Sequence, residues 1–67
     1  MTKPERIALS RLMIENDLNN FQELADVLGI SRPSISQLWH GHYRYKALRK
    51  RISEHFKVPY KSIFTDE

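Results

Sequence analysis

The chain has 67 residues, a formal net charge of +3 and no cysteine, so it reads as one small domain, residues 1–67, without disulfides or a thiolate metal site to staple it. Folding at this size buries only about 60% of the surface that the unfolded chain exposes, yet an apolar share of 40% is enough for one core and too high for a disordered chain. No apolar run approaches the roughly 18 residues of a membrane span, and the polar start from Met1 to Arg6 does not read as a signal peptide, so the default expectation is a cytoplasmic protein.

A first helix is expected over residues 4–17. Pro4 suits its first turn, where a missing backbone donor costs nothing. Ile7, Ala8, Leu12 and Met13 are spaced like one helical face, which Leu9 and Ile14 widen. Residues 17–20 then read as a connection.

A second helix, about 21–28, is marked more strongly. Asn20 followed by Glu23 is a variant of the capping box, in which each side chain satisfies an amide at the other's end. Leu24, Ala25 and Leu28 share a face, with Val27 at its edge. Gly29 stands where a left-handed cap costs glycine least. Ser31 can cap a third helix, about 32–40, with Pro33 in its first turn. Ile35 and Leu38 point inward, and Gly41 can end it.

A fourth helix is expected over residues 45–57 on a stripe of Leu48, Ile52 and Phe56, with Pro59 preventing continuation. A last turn, 60–64, adds Ile63 and Phe64 to the core. Strand signals are weak throughout, so the fold class is all-α with five helices.

Charge is segregated along this plan. Residues 40–51 hold Arg44, Lys46, Arg49, Lys50 and Arg51 with His40 and His42 and no acid, whereas 15–26 hold Glu15, Asp17, Glu23 and Asp26 and no base. One basic face is expected, and a basic face favours nucleic acid. Arg49 and Lys50 can equally be the solvated side of the fourth helix. His40 and His42 flank Gly41 with no third ligand nearby, so no metal is expected.

Residues 21–41 carry the functional reading. Two short helices meet through Gly29-Ile30-Ser31. Ala25 is the small residue that a close crossing needs, Gly29 tolerates positive φ, and Ile30 plugs the angle. With Ile35 and Leu38 turned inward, Arg32, Pro33, Ser34, Ser36 and Gln37 remain on an outer side that is polar and free of acid. A recognition helix offers such a side to a major groove.

The segment FQELADVLGISRPSISQLWHG resembles the helix-turn-helix of the Cro/CI repressor family, also called the XRE family, at Leu24, Ala25, Gly29, Ser31, Ile35, Leu38 and Gly41. The later positions Leu48, Ile52, Phe56, Val58, Ile63 and Phe64 are similar to the family's fourth helix and terminal turn. The resemblance implies a compact five-helix lambda-repressor-like DNA-binding domain and a sequence-specific regulator of phage type. Its partner would be double-stranded DNA, bound at a palindromic operator as a homodimer, with no cofactor, small-molecule ligand or membrane.

It also implies roles. Arg32, Pro33, Ser34 and Gln37 would read bases, with Ser36 at the edge. Arginine suits guanine O6 and N7, glutamine suits adenine N6 and N7, and proline offers an apolar surface to a thymine methyl. Arg32 could instead hold a phosphate. Asn20, Gln22, Ser31, Tyr43, Arg44, Tyr45 and Lys46 would contact phosphates. The family often has glutamine where this chain has Phe21, so Gln22 or Asn20 would have to replace that phosphate contact. The dimer contact would fall on Trp39, Tyr60, Ile63 and Phe64, residues for which core packing is the competing reading.

Other functions fit less well. An antitoxin built on the same motif would want a longer tail to wrap its toxin. A protein-interaction module would be favoured by acids on the third helix, which has none. No nucleophile–base pair, phosphate loop or metal cluster suggests an enzyme. The short chain has little room for a sensor domain, which suits a regulator whose concentration is its signal; the N-terminal domain of a longer repressor is the alternative expectation.

Overall fold

The computed structural model describes residues 1–41 and 45–65, and among them it has five helices and no strand. They are α1 Lys3–Glu15, α2 Phe21–Leu28, α3 Arg32–His40, α4 Lys46–Phe56 and α5 Tyr60–Ile63. Among the described residues no helix is long and apolar enough to cross a membrane.

Local chemistry explains most of the boundaries. Thr2 and Glu5 form a full capping box on α1: the Thr2 amide donates to Glu5 Oε1 (2.7 Å) and the Glu5 amide to the Thr2 hydroxyl (3.4 Å). At α2 the Asn20 carboxamide oxygen accepts from the Glu23 amide at 2.9 Å, as the sequence predicts. The Glu23 carboxylate, however, reaches one residue further back and takes the amide of Asn19 at 2.7 Å.

Three helices end alike, on a left-handed residue followed by an amide that closes on the last turn. Asp17 and Leu18 do this for α1, Gly29 and Ile30 for α2, and Lys57 and Val58 for α4. The left-handed turn at Lys57 (φ 57°) stops α4 at Phe56, before Pro59 has to.

The core is built from Leu9 and Met13 of α1, Leu24, Ala25 and Leu28 of α2, Ile35 and Leu38 of α3, Ile52 of α4, and Ile63 and Phe64 at the end. Helix α2 packs chiefly on α3, and α5 packs on α1 and α4. Each buried aliphatic side chain contributes roughly 1.5–3 kcal/mol.

Two expectations fail here. On α1 the inward stripe is Glu5, Leu9 and Met13 at helical spacing, while Ile7 and Ile14 are 51% and 75% exposed. The sequence pattern missed this face because a carboxylate occupies one of its three positions. On α4, Arg49 is buried rather than solvated. Its guanidinium lies between the Glu5 carboxylate, 3.7 Å away, and the Phe64 ring, 5.1 Å from the centroid.

Glu5 therefore joins three parts of the chain. Besides Arg49 it accepts from the Thr65 amide at 2.9 Å. Burial pushes its carboxyl upward, but the amides of Thr2 and Thr65, the Thr2 side chain and Arg49 outweigh burial and hold it below the ordinary carboxylate value.

Candidate nucleic-acid interface

Helices α2 and α3 pack on each other across a short turn at residues 29–31. Ala25 is fully buried in the core. Gly29 takes φ 70°, and a Cβ there would meet no atom within 4 Å. Glycine is thus needed at this turn for its backbone and not for space. Ile30 is half-buried against the core. Ile35 and Leu38 lock α3 inward.

This orientation leaves Arg32 and Pro33 exposed and Ser34, Ser36 and Gln37 partly exposed on the other side of α3. The five base-reading candidates thus lie on one helix, which carries no acidic residue.

Helices α3 and α4 begin differently from α1 and α2. Ser31 has the extended backbone of a cap, but its hydroxyl bonds the Ser34 hydroxyl (2.9 Å) and not a helix amide. Tyr45, before α4, has no side-chain cap bond, and neither helix has an acid in its first turn. The positive ends of α3 and α4 therefore lack the carboxylate that neutralises the starts of α1 and α2, which leaves them more favourable to an external anion.

The phosphate candidates divide. Gln22 is exposed and donates to Asp26 Oδ1 on its own helix at 2.9 Å, so an acid is its immediate neighbour. The oxygen of Asn20 is committed to the cap, and its carboxamide nitrogen is the group suited to an anion. Lys46 is exposed at the start of α4. Tyr45 is partly buried, and its hydroxyl donates to Gln37 Oε1 at 2.5 Å instead of standing clear of the protein. Tyr43 and Arg44, with His42, lie outside the described residues.

The dimer candidates divide. Ile63 and Phe64 are 2% and 0% exposed, within the core of a single chain, so neither is available to a partner. Tyr60 is partly buried, its ring 5.2 Å from that of Phe64. Trp39 is also engaged within the chain. Its ring packs on Phe21 at 5.2 Å, and the Arg6 guanidinium lies 5.4 Å from its centroid. Its carbonyl accepts from Arg6 Nε (3.2 Å) and Nη2 (3.0 Å), and the Met1 amino group approaches the same carbonyl at 3.2 Å. Cations thus satisfy the end of α3, where helix carbonyls lack partners. Phe21 serves as a packing partner for Trp39 at the head of α2.

Sequence reasoning missed Glu5, Arg6, Arg49 and the Tyr45–Gln37 contact. Only the first had a legible signal, since Thr2-Lys3-Pro4-Glu5 is a capping-box sequence. The others depend on contacts between residues far apart in the chain. Comparison of the chain with protein-family models, with curated proteins and with solved structures gave no match.

Proposed function

We propose that the chain is a sequence-specific DNA-binding regulator of the helix-turn-helix type, acting as a phage-type repressor on the nucleoid in the bacterial cytoplasm. The observation that carries this reading is the α2–α3 pair, closed by Ala25 and Gly29, whose acid-free outer side gathers Arg32, Pro33, Ser34, Ser36 and Gln37. In the proposed mode α3 enters the major groove. Arg32 pairs with a guanine edge, and Pro33 meets a thymine methyl. Asn20, Ser31 and Lys46, with the amides that open α3 and α4, hold phosphates on either side.

Two copies on one duplex present two α3 helices to successive major grooves, so the operator is a near-palindrome with half-sites about 34 Å apart. Such a protein represses by occupying a promoter.

The test is selection from a random duplex library at near-physiological salt. Enrichment of a dyad-symmetric motif supports the reading. Binding without any enriched motif, or no binding, overturns it and points to a protein partner.

A further inference from the structure

Tyr45 has a contact that the base-reading scheme did not anticipate. It is the residue before α4 and holds a left-handed backbone with φ 46°, a conformation uncommon for a bulky side chain. Its ring packs against the edge of the core. Its hydroxyl donates to Oε1 of Gln37, eight residues earlier in the chain, at 2.5 Å.

Gln37 lies on the outer side of α3 among the proposed base readers. A glutamine side chain is long and free to rotate, and the two ends of its carboxamide have opposite hydrogen-bonding sense. It reads a base well only when its plane and its ends are held, because freedom lost on binding weakens the contact.

We propose that Tyr45 is a positioning residue for base reading: it grips the Gln37 carboxamide by its oxygen and so leaves the Nε2 hydrogens as the group offered to the groove. The natural partner for those donors is an acceptor on a purine edge, N7 first. The inference rests on the DNA-binding reading above. It takes Tyr45 out of the set of phosphate contacts and makes it act through Gln37.

The experiment is binding-site selection, followed by affinity measurement on the selected duplex and its single-base variants, for the natural chain, Tyr45→Phe, Gln37→Ala and the double variant. Tyr45→Phe removes only the hydroxyl. The expected result is a loss of preference of roughly three- to tenfold at one base pair, as fits the loss of one hydrogen bond. That base pair is the one at which Gln37→Ala loses its preference. The salt dependence is unchanged, and the double variant is no worse than Gln37→Ala alone.

A uniform loss on all sequences with a shallower salt dependence would return Tyr45 to phosphate contact and overturn the proposal. So would an unchanged preference, or a change at a different base pair. Failure of the natural chain to select any motif removes the DNA-binding reading itself and this inference with it, whereas a clean motif untouched by Tyr45→Phe removes only the inference. Nuclear magnetic resonance of the free protein gives a readout independent of DNA and of any loss of folding: the Gln37 side-chain amide signals are expected to move in Tyr45→Phe while the backbone signals of α1 and α2 stay in place. Unmoved Gln37 signals would overturn the contact.

Discussion

Glu5 Oε2 and Arg49 Nη1 lie 3.7 Å apart inside the protein, both side chains almost wholly withdrawn from water. Removing one member of such a pair strands the other charge in a medium that solvates it poorly, at a cost of about 3–5 kcal/mol. A chain of this length has a total stability on the order of 0.05–0.15 kcal/mol per residue. Glu5→Ala also breaks the cap on α1 and is expected to leave much of the protein unfolded at room temperature. Glu5→Gln keeps the shape and one acceptor oxygen but still removes the charge facing Arg49, so a loss at the low end of that range, about 3 kcal/mol, is expected. Urea titration of both variants checks the order; equal, small losses would mean that the pair adds nothing.

The same carboxylate sets a response to acid. Its ordinary value is 4.5, and folding lowers it, so the unfolded chain takes up the proton more readily than the folded one. The stability contributed by Glu5 is therefore complete above pH 4.5 and is lost as pH falls from there through the lower, folded-state value. Urea midpoints measured from pH 7 down to pH 3 should fall less steeply in Glu5→Gln than in the natural chain. Parallel profiles would assign the acid response to other groups.

Exposure separates two similar residues of α1. Leu9 is fully buried and Ile14 is 75% exposed. Leu9→Ala is expected to cost about 2–5 kcal/mol through lost burial and the cavity left behind, and Ile14→Ala no more than about 0.5 kcal/mol. Denaturant titration of the pair decides it, and a large loss at Ile14 would show that its side chain is covered in solution.

Two cations near the proposed interface should fail in different ways. Arg32→Ala is expected to weaken the preferred operator by about 1–3 kcal/mol and to relax the choice of base at one position. Lys46→Ala should weaken all duplexes alike and reduce the slope of affinity against salt by about one. Identical behaviour of the two variants on specific and random DNA would place Arg32 on phosphate.

The α2–α3 segment was legible because its signals are local. Asn20 caps the helix that follows it, Gly29 supplies a positive φ, and Ile35 and Leu38 repeat at helical spacing. Helix α1 was misread for a physical reason: a hydrophobic pattern counts Ile7 and Ile14 and rejects Glu5, yet a carboxylate can be buried when two amides and a guanidinium satisfy it. The outer side of α3 was legible by elimination, but the Tyr45–Gln37 bond was not, since nothing local in the sequence sets the direction of a side chain across a bend. Ile63 and Phe64 suited a core or an interface equally well until the fold enclosed them.

The bond from the Thr65 amide to Glu5 spans 60 residues, whereas α2 and α3 meet across a short turn. Contacts between near neighbours form early in folding, and those that close a long loop follow, because the entropy of closure must be met first. The Glu5 clasp is thus expected to form late, and a late contact governs how long a folded molecule survives more than how quickly it forms. In stopped-flow traces Glu5→Gln should steepen loss of structure with little change in the refolding rate; slowed refolding would put the clasp in the nucleus instead. Faster unfolding at an unchanged refolding rate would place control of this small domain's lifetime at the seam between Glu5 and Thr65.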